Sequence, residues 1–248
     1  MSKVDDYRQE LKTLDTWDDF LRQASRLPGP RANLELAFAV ALEADEERIL
    51  RYAGLGAEAA PANTPEEFLA ICGVVGLGYL AARGGAKHFA ILRTKASDPR
   101  WRIREAVALG LQQYGQVSME HLLQIMQAWS QGTLLERRAV VATLCEPILL
   151  SNRDHARAVL DILDVITASL LEQLERKAEE FKVLRKALAY GWSVAVAAQP
   201  EIGKPRIERW IVCQDPDIRW IMKQNLQKKR LSRMDAAWVH AQIEVLGK

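Results

Sequence analysis

The sequence predicts an all-α fold, a right-handed α-α superhelix of about six stacked helix pairs. Three observations carry that prediction. First, Ser97-Asp98-Pro99-Arg100-Trp101-Arg102-Ile103-Arg104-Glu105-Ala106 and Asp215-Pro216-Asp217-Ile218-Arg219-Trp220 share one order of residue types. An Asp stands where an N-cap is wanted, Pro follows in the first turn, and Ile-Arg heads an apolar stripe. Second, weaker echoes at Glu136-Arg137-Arg138-Ala139-Val140 and Leu184-Arg185-Lys186-Ala187-Leu188 make a degenerate repeat. Its arginines, Arg104, Arg137, Arg185 and Arg219, stand 33, 48 and 34 residues apart. Third, no run of alternating apolar and polar residues competes with the helical period.

The elements follow in order. Residues 4–26 read as two short amphipathic helices, with Asp15 or Thr16 capping the second and Trp17, Phe20, Leu21 and Leu27 on its apolar side. Pro28-Gly29-Pro30 breaks the chain. Residues 31–55 read as a helix pair with Asp45 as a cap, and the Ala/Pro-rich run to Asn63 as a loop. Thr64-Pro65-Glu66-Glu67 is a helix start with Thr at the N-cap, Pro next and Glu at the third position. That helix carries Gly73, Gly76 and Gly78. Each glycine costs about 1 kcal/mol against alanine, so close approach of a neighbouring helix is expected.

Gly84-Gly85 ends it, and residues 86–96 read as the next helix. The signature helix runs from Pro99 with Gly115 as its C-cap, and Ser118 caps its successor. Gly132 precedes a helix over 133–146 that Pro147 stops. Residues 153–199 hold one Gly and no Pro. A helix of ~47 residues is far beyond the usual length, so a break is expected near Glu175–Glu180. Pro200 ends that pair. Helices over 205–213, 216–229 and 233–246 complete the chain, the last capped by Ser232.

With 49% hydrophobic and 27% charged residues, the 248-residue chain reads as one soluble domain. Residues 1–63 are its acidic N-terminal helices, and 64–248 its repeat core with a basic C-terminal part. Net charge is +2, unevenly spread. Residues 1–67 hold 8 Lys/Arg against 14 Asp/Glu, residues 83–104 hold 7 against one, and residues 204–233 hold 9 against 3. Two readings of the basic stretches stand side by side: contact with a polyanion, or a solvated helix face.

Cys72, Cys145 and Cys213 are widely spaced in apolar surroundings, which suggests buried reduced thiols and a cytoplasmic location. The first residues hold no apolar segment of the signal-peptide kind. Phe68 to Ala82 is uncharged but short of the roughly 18 residues of a membrane helix, so no membrane association is expected. His88, His121, His155 and His240 are isolated, and no HExxH, GxSxG or P-loop is present. Gly73-Val74-Val75-Gly76-Leu77-Gly78 lacks the order of a dinucleotide fingerprint. No catalytic residue, metal or cofactor is therefore assigned.

The repeat length matches HEAT and armadillo arrays, and Asp98-Pro99 with Ile103-Arg104-Glu105-Ala106 resembles the second half of a HEAT repeat. In that family an Asp at the inter-helix turn and an Arg six residues on bond across repeats as a ladder, which the resemblance implies for Asp98 and Arg104. The chain also resembles the HEAT-like DNA alkylation-repair glycosylases of the AlkD type over roughly residues 65–230. Ser97-Asp98-x-x-Trp101-x-x-Arg104-x-Ala106 is similar to the segment that carries a DNA-contacting arginine there. Glu180-Phe181 and Lys186 to Trp192 are similar to a later segment with an active-site Trp, where Tyr190 takes that position and Trp192 follows two residues on. Those enzymes place a Trp/Asp-rich catalytic segment in the preceding helix, whereas Phe68 to Lys87 holds no Asp, Glu or Trp. A carboxylate that stabilises a departing cationic base has no substitute in Gly or Ala.

The resulting expectation is a non-enzymatic HEAT-like module with a basic concave face that binds duplex DNA or another polyanion. A glycosylase acting on alkylated bases and a protein-protein interaction scaffold are the alternatives. The expected contact residues are Trp101, Arg104, Arg138, Arg185, Tyr190, Trp192, Arg219, Trp220 and Lys223. Arginines in file track phosphates, and tryptophans beside them stack on bases. The competing roles are inter-repeat hydrogen bonding for the arginines and core packing for the tryptophans. Lys228, Lys229, Arg230 and Arg233 extend the basic patch around Lys223, and Glu105 and Glu136 are the carboxylates to test as acids.

Overall fold

The structure is a computed structural model that describes residues 2–85 and 87–247. Every regular element among the described residues is helical, with fifteen α-helices and two short 3-10 turns. The chain divides into two compact units, Met1–Val117 and Ser118–Lys248.

The first unit contains α1 (Lys3–Lys12), α2 (Asp18–Ala24), α3 (Leu34–Glu43), α4 (Glu46–Ala53), α5 (Pro65–Ala82), α6 (His88–Lys95) and α7 (Trp101–Val117). Helix α1 packs on α3, α3 on α5, and α5 on α7, while α2, α4 and α6 flank α5. Thr64 caps α5 by accepting the Glu67 N–H at 3.3 Å. From Glu67 to Gly78 every residue of α5 is buried. A helix apolar on all sides belongs inside a core, and α5 is one. Among the described residues α5 is also the one helix long and apolar enough to cross a membrane, yet most of it is buried within this unit.

The three glycines of α5 are contact points. A Cβ on Gly73 would stand 2.2 Å from Ala53 N, and one on Gly78 would stand 2.1 Å from the Gly110 carbonyl oxygen. Gly110 lies on α7, so α5 and α7 meet backbone to backbone there. At the edge of the unit Asp18 binds Arg51 through both carboxylate oxygens, at 2.8 and 2.9 Å, and accepts the Tyr52 hydroxyl at 2.6 Å. The Arg51 hydrogen bonds, then that of Tyr52, hold Asp18 at about 2 against the opposing effect of burial.

The second unit contains α8 (Met119–Trp129), α9 (Leu134–Leu144), α10 (Arg153–Ala168), α11 (Glu179–Ala198), α12 (Pro200–Ile211), α13 (Pro216–Leu226), α14 (Lys229–Met234) and α15 (Ala236–Gly247). Its packing repeats the alternation of the first: α9 on α11, α11 on α13, α13 on α15, with α8 on α10 and α10 on α12 beside them. The expected break in 153–199 is present. Helix α10 ends at Ala168, a 3-10 turn spans Ser169–Glu172, and α11 starts at Glu179.

Several boundaries differ from the sequence reading. Helix α12 starts at Pro200, because proline suits a first turn as well as a stop, and Pro205 lies exposed inside it at the loss of one backbone bond. The final helix begins at Ala236 and is capped by Asp235, which accepts the Trp238 N–H at 3.0 Å; Ser232 falls within α14. Gly115 does not end α7, which continues to Val117. Trp17, rather than Asp15 or Thr16, occupies the α2 N-cap, and Ser118 makes no side-chain capping bond to α8. The expected helix start at Ala86 lies outside the described residues.

Gly78→Ala is expected to lower unfolding stability by about 2 kcal/mol or more, since a rigid backbone oxygen blocks the new methyl. Gly56→Ala, where a Cβ meets nothing within 4 Å, serves as the neutral control. Urea unfolding of both variants makes the comparison. A carboxylate whose folded pKa is depressed stabilises the fold above its unfolded value, and that stability is lost as pH falls towards 2. Asp18→Asn therefore flattens the dependence of stability on pH between about pH 5 and 2, read from urea midpoints at each pH.

Candidate nucleic-acid interface

In the first unit a groove of about 470 Å³ runs between the 26–35 segment and the start of α7. Ile71, Ala106 and Leu109 contribute its apolar surface, and Trp101 stands in it with half of its area exposed. The Arg102 guanidinium lies 4.5 Å from the Trp101 ring centre. Arg102 itself is buried. It donates to the Gly29 carbonyl at 2.6 Å and to Asn63 Oδ1 at 3.2 Å, and meets Glu67 Oε2 at 3.4 Å. Glu67 is fully buried, and its Oε2 also accepts the Asn63 N–H at 2.7 Å. This buried pair ties the Gly29 turn to α5 and α7 and so fixes both walls of the groove. Glu105, one turn after Trp101, lines the same groove with Glu35, Arg26 and Arg31.

The ladder implied for Asp98 and Arg104 takes another form. The Asp98 carboxylate binds Arg100, at 2.9 Å to Nε and 2.8 Å to Nη2, while Arg104 donates to the backbone carbonyls of Asp98 and Pro99 at 2.7 and 3.0 Å. A neighbour two residues away reaches the carboxylate before one six residues away. Arg100 is buried and also bonds the carbonyls of Leu55 and Ala60, which pins the loop before α5.

In the second unit the recurring arginines reach forward along the helix row. Arg137 on α9 donates to Ser169 Oγ at 2.9 Å. Arg185 on α11 donates to Asp217 of α13 and lies 4.4 Å over the Trp220 ring. Arg219 on α13 donates to the Leu246 carbonyl of α15. Arg138 is half-buried and not free of partners. Arg137, Arg185 and Arg219 thus bond within this unit. Trp192 is fully buried, with its indole N–H bonded to Thr167 Oγ1 at 3.0 Å, so it is a core residue and not a stacking platform. Trp220 is half-buried with Arg185 over its ring.

Tyr190 and Lys223 are placed differently. Tyr190 is 45% exposed. Arg230 donates to its hydroxyl and sits 4.5 Å from the ring centre, with Lys228 Nζ at 6.0 Å. Lys186 is exposed one turn earlier on α11, and Lys223 is exposed on α13. Other cations of the basic C-terminal stretch are taken up internally. Lys204 pairs with Asp235, and Arg206 and Arg209 both pair with Asp164.

The thiol of Cys145 is pushed up to about 12 by burial, and Cys72 is also buried; Cys213 is half-buried. No group of three His, Cys, Asp or Glu side chains suited to a metal ion occurs among the described residues. Sequence reasoning missed Arg100, the Arg102–Glu67 pair and Asp164. Glu67 had a local explanation as a capping residue, which hid its partner 35 positions away. Compared with protein-family models and with curated proteins, the chain matches none.

Glu67→Ala removes one member of a buried ion pair and is expected to cost about 3 kcal/mol or more. Thermal unfolding measures that loss, and Glu67→Gln, which keeps the acceptor for the Asn63 N–H, is expected to lose less.

Proposed function

We propose that this chain is a non-enzymatic binding module of HEAT-like helix pairs whose ligand is a nucleic acid. The alternating helix rows within each unit support the superhelical reading of each. The observation that carries the ligand class is Tyr190, an exposed ring bracketed by Arg230 and Lys228 with Lys186 one turn away. An exposed ring offers a base a stacking face, while adjacent cations meet phosphates without reading sequence. Trp101 is a second exposed ring, in the first unit, where the cation over it, Arg102, is tied to Glu67. On this reading the contact residues are Trp101, Tyr190, Lys186, Lys223, Lys228 and Arg230. Arg104, Arg137, Arg185 and Arg219 contribute to the fold.

A second reading, release of alkylated cationic bases from DNA, rests on Glu105. It lies on α7 one turn from Trp101 and lines the same groove. A carboxylate beside an exposed indole is suited to stabilise a departing cation.

Duplex binding with and without a cationic N-alkylpurine, measured across roughly 50–200 mM salt, tests both readings. The binding module is expected to hold both duplexes alike, with affinity falling steeply as salt rises. Tyr190→Ala and the Lys228→Ala/Arg230→Ala pair are each expected to weaken binding without lowering stability. Release of the lesion base, lost in Glu105→Gln, would favour the second reading. Failure to bind either duplex would remove both.

A further inference from the structure

A cleft between α10 and α12 of the second unit stands apart from the Tyr190 cluster in its chemistry. The two helices run in the same direction here: Asp161 meets Arg206 at 2.6 Å, and Asp164, one turn on, meets Arg209 at 2.9 Å and the Trp210 indole N–H at 2.7 Å. Asp164 also accepts from Arg206 at 2.9 Å. A single carboxylate of low exposure thus fixes two guanidiniums and an indole of α12 against α10. Above it lie two adjoining hollows that share Asp164 and Arg209, of about 500 and 390 Å³. The first is lined by Arg157, Asp161 and Arg206; the second is walled by Val165, Ala168 and Trp210. Both are shallow and open to solvent.

The charges of the cleft can be counted. Arg206 and Arg209 are balanced by Asp161 and Asp164. Arg157 is exposed on α10 and pairs with no carboxylate among the described residues. One uncompensated guanidinium therefore faces a hollow lined by charged side chains with Ile202 and Pro205, and an apolar floor with an indole lies beside it. A run of phosphates requires several uncompensated cations in line, and this cleft has one.

We propose that the α10–α12 cleft binds an organic monoanion with a flat apolar body, of the aryl carboxylate class. Arg157 and the outer face of Arg209 take the anionic head by charge-assisted hydrogen bonds. The body lies along Val165, Ala168 and Trp210, where apolar area leaves water. The Asp164 bonds hold the indole and Arg209 in place before a ligand arrives, so little ordering cost falls on binding. The site is independent of the nucleic-acid reading and stands or falls separately from it.

Titration of 2-naphthoate into the full chain, followed by the indole N–H resonance of Trp210, tests the site; loss of that resonance in Trp210→Phe assigns it. A saturable shift is expected, with the indole resonance of Trp17, bonded to the Leu11 carbonyl in the first unit, unmoved. Arg157→Ala is expected to weaken binding about tenfold, the neutral 2-naphthamide to bind about tenfold more weakly than the acid, and Val165→Glu to abolish the shift. Arg157 and Val165 are both exposed, so neither change burdens the fold. No saturable shift of Trp210 would overturn the proposal. So would equal binding of amide and acid, or an Arg157→Ala variant that binds as well as the parent.

Discussion

In the second unit, the last two steps of the helix row from α9 to α15 are each spanned by an arginine, and a third arginine leaves α9 for the turn after α10. Arg137 reaches the turn after α10, Arg185 reaches α13, and Arg219 reaches α15. Hydrogen bonds from a charged donor are worth more than neutral ones, and a guanidinium has five N–H groups to direct. Arg185 and Arg219 each tie their helix to the next one in the row in this way. A half-buried guanidinium engaged in such a tie, as Arg185 is, presents little of itself to a phosphate. Cations that face outward must come from positions off the tie, and they do: Lys186 follows Arg185 by one residue, and Lys223 follows Arg219 by one turn.

The first unit is governed by a different constraint, the contact between the backbones of Gly78 and Gly110. It draws α7 onto α5 closely enough that Ala106 and Leu109 of α7 meet Ile71 of α5 in the floor of one groove. Trp101 begins α7 and projects beyond that floor. The guanidinium of its neighbour Arg102 lies beside the Trp101 ring but is buried, bonded to Glu67 and Gly29. Successive residues on a helix diverge by about 100°, so adjacent positions of the signature segment have opposite fates, one as exposed ring and one as internal tie.

How far the sequence could be read follows from the range of the interactions. Caps are local, and Asp45, Thr64 and Asp215 all cap where their sequences suggest. The glycines of α5 were legible because each is a cost that requires a gain elsewhere. Ion-pair partners were not legible. Arg102 finds Glu67 35 positions away, and Trp210 finds Asp164 46 positions away; nothing in either neighbourhood marks the match. Tyr190 and Trp192 show the same limit on one helix. They are two residues apart, hence about 200° apart around α11, and one is exposed while the other is fully buried. The resemblance offered both as aromatic candidates, and only the packing of α11 against its neighbours separates them.

Net charge is for the same reason a poor guide to where an anion binds. Residues 83–104 carry seven basic side chains, yet Arg100 and Arg102 are buried and Arg104 is turned to its own backbone. Residues 204–233 carry nine, of which Lys204, Arg206 and Arg209 meet carboxylates and Arg219 a carbonyl. A cation already paired adds little to the field outside, because its partner cancels it at short range and salt screens the remainder within about 8–10 Å. The cations that matter are therefore those left over beside something a ligand can also use. At Tyr190 that companion is an exposed ring with several cations around it; at the α10–α12 cleft it is an apolar floor with one. The number of uncompensated charges, more than their density in the sequence, separates a surface suited to a polyanion from a pocket suited to a single anionic group.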